Sequence, residues 1–295
     1  MKALDKLREI TKSLKYGGIN TAYKEAEIFV KHGLDIDTVE IYRDNPAMNE
    51  DQVMAVDGMT ERRLRREPLQ YILGYEEFLG LKLLVGSGVL IPRPETELMA
   101  EHAIKTIKRE ALSVKRNSKN SELNSSVSIL DLCTGSGCLA LAIAKEFPDI
   151  LVSGTDISDA AVKYSKINAG INGIKNATFL KGNVFEPIEK LSTFALIISN
   201  PPYIRTGDIK YLQPEIKNWE SFIALDGGDD GLDFYRELIP ASGGFLNDDG
   251  LIMLEIGAGQ AKDVSGIMES SGYTQIETIR DFAGIERIIQ ARWKK

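Results

Sequence analysis

The chain has 295 residues, 43% of them hydrophobic and 27% charged, which suits one large or two modest globular domains and excludes general disorder. Its 36 basic and 43 acidic side chains give a net charge of −7, which weakens a role on duplex nucleic acid, where phosphate contacts favour basic surfaces. No apolar run of about 18 residues predicts a membrane span. The first residues also lack the apolar core of a secretory signal, so we expect a soluble cytoplasmic protein.

The cysteine and histidine content argues against two kinds of site. Cys133 and Cys138 are the only cysteines, too few for a disulfide scaffold or a zinc site, and we expect them to pack a turn rather than to react. His32 and His102 are the only histidines, and neither has a catalytic partner nearby in the sequence. The sequence therefore predicts no metal site. We also expect the chain to act as a monomer.

Residues 1–85 are predicted to form a small helical domain. Apolar residues recur at helical spacing up to Leu14, and the glycine pair that starts at Gly17 should end this first helix. Gly33 is expected to end a second helix, and Asn49 can cap a third. No regular alternation of strands and helices is visible in this part of the sequence.

The third predicted helix carries one dense basic cluster. It consists of Arg62, Arg63, Arg65 and Arg66. Glu61 and Glu67 flank the cluster and reduce its net charge, so we expect a solvated helix face. A docking surface for a partner is the alternative.

After the helical domain, the sequence predicts a connection in two parts. A β-hairpin is expected at about 78–90, with Gly86 and Gly88 in its turn, and residues 86–112 then complete this hairpin and form a linker helix. Residues 113–126 are rich in Ser, Asn and Lys and show no periodicity, so they are expected to form a flexible loop.

Residues 127–295 show strands alternating with helices, which predicts a mostly parallel sheet with helices on both faces. The predicted strands are 127–132, 150–156, 177–182, 194–200 and 250–257. Two later segments, 273–283 and 285–293, are expected to pair as an antiparallel hairpin at the edge of this sheet. The predicted fold class is therefore α/β, with a small helical domain before the sheet domain.

A glycine-rich loop follows the first of these strands. Gly135, Gly137 and Ala140 satisfy the pattern GxGxx(G/A), which provides a tight turn above a helix N-terminus. The next strand ends at Asp156, 21 positions after Gly135, where a carboxylate can accept hydrogen bonds from both hydroxyls of a ribose. Together the loop and the acid predict a site for a nucleoside cofactor.

Two nucleoside cofactors compete for such a site, a dinucleotide and S-adenosylmethionine. Asp131 lies beside the loop, where its charge would repel a pyrophosphate and attract an amino-acid ammonium group. After the third strand, Asn183 and Val184 could hold and face an adenine. These residues favour S-adenosylmethionine, while a structural role for Asp131 in capping a turn stays open.

The fourth strand ends in the sequence Asn200-Pro201-Pro202-Tyr203. The two prolines make the chain rigid and remove two backbone donors, so the backbone of this pair offers acceptors only. The side-chain oxygen of Asn200 and the carbonyl of Pro201 could accept the two hydrogens of a planar –NH2 group, and Tyr203 offers that group a flat face. The alternative is a rigid turn with a packed tyrosine.

This tetrapeptide after a glycine-rich loop resembles the pattern of Rossmann-like methyltransferases that modify exocyclic or amide nitrogens. Four further segments resemble the HemK/PrmC family over nearly the whole chain: Gln70–Gly74, Ile91–Glu97, Asp230–Leu232 and Asp281–Arg287. The resemblance implies a Rossmann-like class I methyltransferase fold that uses S-adenosylmethionine. It also implies a role in translation termination, because this family methylates the side-chain nitrogen of the glutamine in the Gly-Gly-Gln motif of class-1 peptide chain release factors.

The residue patterns and the resemblance together give the candidate site residues. Those for the cofactor are Asp131, Cys133, Thr134, Gly135, Ser136, Gly137, Asp156, Asn183, Val184 and Asn200. The candidate catalytic residues are Asn200, Pro201 and Tyr203, and the candidate substrate-binding residues are Asn200, Pro201, Pro202 and Tyr203. The sequence departs from the family at Cys133, Asn183 and Ser221, where Gly, Asp and Pro are frequent.

Three alternative functions stay open. A nucleic-acid methyltransferase acting on adenine N6 or guanine N2 would use the same tetrapeptide after flipping a base, although the net charge and the lack of a second basic domain disfavour it. The substrate could also be a glutamine of another protein. The third alternative, a non-catalytic module that binds the cofactor or a translation protein, is disfavoured by the complete tetrapeptide.

Overall fold

The computed structural model describes residues 1–117 and 127–295, and the chain divides into two compact units. The helical unit consists of Met1–Gly74 and Gln213–Trp219, and the sheet unit consists of Tyr75–Leu212 and Glu220–Lys295. In the described ranges, no helix is both long enough and apolar enough to cross a membrane.

Helices and strands are numbered in chain order. The helices are α1 (Ala3–Tyr16), α2 (Ala22–Leu34), α3 (Thr38–Asp44), α4 (Glu50–Leu64), α5 (Leu69–Leu73), α6 (Pro94–Asn117), α7 (Cys138–Glu146), α8 (Asp159–Ile171), α9 (Pro214–Lys217), α10 (Asp233–Ser242) and α11 (Ala261–Ser270). The strands are β1 (Tyr75–Phe78), β2 (Leu81–Leu84), β3 (Ser128–Leu132), β4 (Leu151–Asp156), β5 (Ala177–Lys181), β6 (Phe194–Ser199), β7 (Leu246–Glu255), β8 (Thr274–Arg280) and β9 (Glu286–Arg292). The loop expected at 113–126 begins inside α6, and the rest of it lies outside the described residues.

The helical unit is stabilised by the apolar faces of α1, α2 and α4. Their buried side chains include Ile10, Phe29 and Val56, which belong to one core cluster. Asn49 caps α4 as predicted, because its side-chain oxygen accepts a hydrogen bond from the backbone N–H of Gln52 at 2.8 Å. The side chain of Gln52 accepts in return from the backbone of Asn49, which completes a capping box.

The predicted end of α2 at Gly33 is wrong. The helix continues to Leu34, and Asp35 takes the left-handed conformation (φ 53°) that ends it. Gly33 instead permits a close approach between helices, because a Cβ there would lie 2.3 Å from Cγ2 of Val56 on α4. This glycine therefore serves the packing of α2 against α4.

The basic cluster at the end of α4 is not the solvated face that the charge pattern predicted. The side chain of Arg63 is only 8% exposed, and it donates to Oε2 of Glu25 at 2.6 Å and to Oε1 of Glu215 at 3.0 Å. Arg66 donates to the same oxygen of Glu215 at 3.2 Å. Arg65, with 67% of its side chain exposed, fits the expectation. The buried arginine therefore holds the two segments of the helical unit together.

The seven-stranded sheet confirms the predicted α/β fold. Its strand order is β5-β4-β3-β6-β7-β9-β8. The first five strands in this order are parallel to one another, and β9 runs antiparallel to both of its neighbours, β7 and β8. The predicted edge hairpin is therefore confirmed as β8 and β9. Successive residues Ile129 and Leu130 of β3 belong to separate buried clusters, as expected for a sheet covered on both faces. The carboxyl ends of β4, β3, β6 and β7 lie side by side.

The hairpin predicted at 78–90 is formed earlier, by β1 and β2. Its turn consists of Leu79 and Gly80, both with positive φ (46° and 69°). Gly86 and Gly88 lie beyond the hairpin. The prediction failed because the apolar Leu79 in the turn made that segment look like the interior of a strand.

We predict that Arg63→Met destabilises the helical unit by about 3–5 kcal/mol, because Glu25 and Glu215 would lose the cation that compensates their burial. The matched control is Arg65→Met, which removes an exposed charge from the same cluster and should change stability by less than about 0.5 kcal/mol.

Urea unfolding can be followed separately in the two units. Trp219 and Trp293 are the only tryptophans, and one lies in each unit, so the fluorescence of Trp219 in a Trp293→Phe background reports on the helical unit. Equal stability of the two arginine variants would contradict the role of the buried ion pair.

Candidate functional site

A cavity of about 330 Å³ lies in the sheet unit at the carboxyl ends of β3, β4 and β6. β3 is flanked by β4 on one side and β6 on the other, and such a reversal in strand order is where α/β sheets bind ligands. The predicted site residues that line the cavity are Cys133, Thr134, Gly135, Ser136, Asp156, Asn183, Val184, Asn200 and Pro202. The predicted residues outside its lining are Asp131, Gly137, Pro201 and Tyr203.

The glycine-rich loop connects β3 to α7 through three residues with positive φ. They are Cys133 (57°), Gly135 (56°) and Gly137 (84°). A Cβ at Gly137 would lie 3.1 Å from Cβ of Ser165 and 3.2 Å from the ring of Phe179, so the chain passes close to α8 and β5. The loop thus needs glycine for both conformation and space, as its pattern predicted.

Asp131 supports this loop from inside the protein. The residue is 1% exposed, and its Oδ2 accepts from the hydroxyl of Thr134 at 2.6 Å and from the backbone N–H of Ala140 at 3.2 Å. Burial raises the pKa of Asp131 to about 7, although both hydrogen bonds oppose that shift. Its Oδ1 has no hydrogen-bond partner among the described residues. The observed contacts correspond to the structural alternative, and contact with a cofactor ammonium group stays a prediction.

Asp156 faces the cavity with a fixed carboxylate. Its Oδ2 accepts from the backbone N–H of Gly135 and its Oδ1 from that of Ser158, both at 2.9 Å. Burial raises the pKa of Asp156, and these two backbone donors lower it. Each oxygen keeps a further lone pair, so the carboxylate retains the capacity to accept from two hydroxyls.

Asn183 and Val184 form the wall beyond the end of β5. Val184 is buried with a positive φ (44°), and its carbonyl accepts from the hydroxyl of Thr155 at 2.9 Å. The side-chain nitrogen of Asn183 donates to Oε1 of Glu237 at 2.9 Å. An apolar side chain and a polar neighbour therefore lie at this wall, and their contact with an adenine stays a prediction.

The tetrapeptide Asn200–Tyr203 follows β6 and is held at its far end by Tyr203. The hydroxyl of Tyr203 donates to Oε1 of Glu255 at 3.3 Å, and its carbonyl accepts from the side-chain nitrogen of Gln260 at 3.0 Å. Burial and the charge of Glu255 raise the pKa of Tyr203, which keeps the hydroxyl protonated as a donor. The backbone of the tetrapeptide is therefore anchored from both sides of Tyr203.

The segment Asp230–Leu232, which carries part of the family resemblance, packs against the tetrapeptide through Gly231. Its φ is 79°, and a Cβ there would lie 2.5 Å from the carbonyl oxygen of Tyr203. Gly227 approaches the same residue, with a would-be Cβ 2.8 Å from its Cα. Both glycines allow the loop 227–231 to pack directly on the backbone of the tetrapeptide.

Comparison with known proteins identifies the family. Residues 5–74 match the PrmC N-terminal domain family, and residues 116–216 match the methyltransferase small domain family. The release factor glutamine methyltransferase of Thermodesulfovibrio yellowstonii is 45% identical over 98% of this chain and 97% of its own length. The chain belongs to the release factor glutamine methyltransferase family. The member from Geobacter sulfurreducens is 40% identical over 93% of this chain and 91% of its own length.

Solved structures agree on the fold. A methyltransferase from Pyrococcus furiosus aligns with a TM-score of 0.54 and 18% identity, over 80% of this chain and all of its own. At that level of identity the likeness shows the Rossmann-like methyltransferase architecture alone.

Of the three departures from the family, only the one at Asn183 has a structural explanation. Cys133 takes a positive φ (57°), a conformation that favours the glycine implied by the resemblance and not the cysteine. At Asn183, the amide donates to Glu237, whereas an aspartate there would face another carboxylate. Ser221 lines the cavity, and nothing in the structure explains why it replaces proline.

The thiols near the cavity are poorly suited to reaction. Burial raises the pKa of Cys133 and of Cys138, so both stay protonated at neutral pH. Among the described residues, no group of three or more His, Cys, Asp or Glu side chains could hold a metal ion.

Sequence reasoning missed two polar residues next to Asn200. The side-chain nitrogen of Asn200 donates to the hydroxyl of Thr96 at 3.1 Å, and that hydroxyl donates to Oε2 of Glu255 at 2.8 Å. Thr96 lies inside the segment Ile91–Glu97 that carries the family resemblance, and Glu255 is the one acid in the apolar run Leu251–Ile256 of a predicted strand. An isolated acid at the end of a buried strand was the available signal.

Proposed function

We propose that this enzyme transfers the methyl group of S-adenosylmethionine to the side-chain amide nitrogen of the glutamine in the Gly-Gly-Gln motif of class-1 release factors. Family membership supports the release factor as substrate. The observation that carries the chemistry is the tetrapeptide, in which Asn200 lines the cavity and Pro201 follows it in the chain. We place the reaction in the cytoplasm, where release factors act on ribosomes.

The cavity fits S-adenosylmethionine by the chemistry of its lining. Asp156 would accept from the ribose hydroxyls, Val184 would cover the adenine, and the backbone of Thr134–Ser136 would follow the rest of the molecule. The bound cofactor supplies an electrophilic methyl carbon on a sulfonium. The pyrophosphate of a dinucleotide is disfavoured here, because Asp131 places a carboxyl group next to the loop.

An amide nitrogen is a poor nucleophile, and we propose that this protein activates it with hydrogen-bond acceptors rather than with a base. Asn200 and Pro201 accept the two N–H bonds, which stabilises the positive charge that grows on the nitrogen and aims its lone pair at the methyl carbon. The nitrogen loses its proton to water after transfer, since an N-alkylated amide cation is acidic. The tetrapeptide accordingly contains no Asp, Glu or His.

The proposed function is tested by incubating the full-length enzyme with a class-1 release factor and S-adenosylmethionine and mapping the peptides by mass. We expect one added methyl group on the Gly-Gly-Gln peptide. Asn200→Ala should lower the rate of transfer by about a hundredfold or more, because it removes an acceptor that acts in the transition state. Methylation of RNA or of another peptide, with none on this one, would contradict the proposal.

Cofactor binding gives an independent prediction. Asp156→Ala should weaken the binding of S-adenosylhomocysteine by about 1.5–3 kcal/mol in calorimetry, because the ribose loses a charged acceptor. Asp149→Ala removes an exposed carboxyl outside the cavity lining and serves as the control with the same change in net charge. Binding of NAD in place of S-adenosylhomocysteine would favour the dinucleotide interpretation.

We further propose that the helical unit docks the release factor, with the chain acting as a monomer. All lining residues of the cavity belong to the sheet unit, so the helical unit takes no part in the chemistry. On its surface, Tyr16 is 83% exposed, with the ammonium group of Lys12 over its ring. Exposed aromatic side chains are enriched at protein-binding surfaces.

A chain beginning at Tyr75 tests this docking role. A start at residue 86 would remove Phe78, Leu81 and Leu83, which are buried in the core of the sheet unit. The shortened chain should bind cofactor but methylate intact release factor at least about tenfold more slowly, because distant binding energy no longer positions the glutamine. Its rate on a short Gly-Gly-Gln peptide should change little. An unchanged ratio of the two rates would argue against docking.

A further inference from the structure

The direction of the Asn200 amide decides whether the tetrapeptide can bind an –NH2 group. A side-chain amide has an oxygen that accepts and a nitrogen that donates, and the two ends have nearly the same shape. Only the oxygen suits a substrate amide whose two N–H bonds need acceptors. With the nitrogen toward the cavity, two donors would face each other. Some feature of the protein must therefore select one of the two orientations.

A chain of hydrogen bonds selects the orientation in the structure. The carboxylate of Glu255 can only accept, so it takes the hydroxyl hydrogens of Thr96 (2.8 Å) and Tyr203 (3.3 Å). Having donated its one hydrogen, the hydroxyl of Thr96 can only accept from Asn200, which it does from Nδ2 at 3.1 Å. No described residue donates to Oδ1 of Asn200, which keeps this oxygen available to a ligand.

We propose that Thr96 and Glu255 are positioning residues that hold the amide of Asn200 with its nitrogen turned away from the reacting group and its oxygen presented to it. The inference rests on the proposed function for its consequence in catalysis. Its structural content, the directed chain Asn200 to Thr96 to Glu255, does not depend on which molecule is methylated.

Burial leaves this chain of hydrogen bonds few alternative arrangements. Thr96 and Glu255 are each 1% exposed, so water cannot easily replace a bond that is lost. The partners also come from different elements, because Thr96 lies in the first turn of α6, Glu255 ends β7, and Asn200 follows β6. An unpaired group at any of these positions would remain buried, which disfavours alternative arrangements.

Protonation of Glu255 removes the selection. A carboxylic acid can donate to Thr96, whose hydroxyl is then free to donate to Oδ1 of a rotated Asn200. Burial raises the pKa of Glu255 to about 7, with Thr96, Tyr203 and Arg287 opposing the shift and Glu95 adding to it. The titratable or charged groups around Glu255 are Tyr203, Glu95, Arg287, Cys138 and Tyr235. The oriented state is therefore expected above about pH 7 and declines below it.

Kinetics of Thr96 and Glu255 variants in the full-length enzyme test the proposal at saturating cofactor. Thr96→Val keeps the shape but removes the hydroxyl, and kcat should fall about tenfold or more with KM for the release factor within about twofold. Thr96→Ser restores the hydroxyl and should retain kcat within about threefold. We expect the kcat of the wild type to fall below pH 7, and Glu255→Gln should abolish this fall because its amide does not titrate.

A double-mutant cycle separates positioning from a general structural role. In an Asn200→Ala background, Thr96→Val should have almost no further effect, because the group that it positions is already absent. An equal, additive loss in both backgrounds would overturn the proposal. So would a kcat of Thr96→Val that equals the wild-type value.

A spectroscopic measurement makes the test independent of the substrate. The side-chain amide resonance of Asn200, assigned by its loss in Asn200→Ala, should shift with a midpoint near pH 7 in the wild type. The shift should vanish in Glu255→Gln. A titrating resonance together with no methylation of the release factor would overturn the proposed function and leave the positioning intact. An Asn200 resonance whose pH dependence is the same in the wild type and in Glu255→Gln would overturn the positioning role. This measurement does not require Thr96→Val to fold.

Discussion

Four adjacent parallel strands each place one carboxyl or amide group at or next to their carboxyl ends, and the site depends on pairing these buried groups. In strand order they are Asp156, Asp131, Asn200 and Glu255. A buried polar group is costly when unpaired, so each has a partner outside the sheet. Asp131 and Asp156 accept hydrogen bonds from the loop that follows β3. Asn200 donates to the hydroxyl of Thr96 in α6, and Glu255 accepts from the same hydroxyl. The loop conformations that build the cavity therefore follow from the need to pair polar groups that the sheet has buried.

The strands and the cofactor loop could be predicted from the sequence because their signals are local. Apolar runs gave β3 to β6 within one or two residues, and the spacing from Gly135 to Asp156 corresponds to a real hydrogen bond at 2.9 Å. Thr96 and Glu255 were missed because their contacts join residues 104 and 159 positions apart. Arg63 was misread for the same reason, since Glu215 lies 152 positions away.

Close approaches form the second class of features that the sequence did not reveal. Gly33 was expected to end a helix, but the space next to it is occupied by Val56 of another helix. In the sequence, Gly231 was noted only as part of a segment that resembles the family. The structure shows that a Cβ at this position would collide with the carbonyl of Tyr203. A pattern indicates where glycine occurs. Only the packed neighbour shows whether conformation or space requires it.

The tetrapeptide by itself distinguishes one planar –NH2 group poorly from another, because two acceptors and a flat wall suit a base amine as well as a glutamine amide. Selection of the substrate must therefore come from other parts of the chain. A net charge of −7 opposes the approach of a polyphosphate backbone and leaves a protein as the favoured partner. The chain passes into the helical unit between Leu212 and Glu220, directly downstream of the tetrapeptide, and Arg63 anchors that segment through Glu215. We infer that the helical unit determines which protein is bound, while the oriented amide of Asn200 determines which nitrogen atom is methylated.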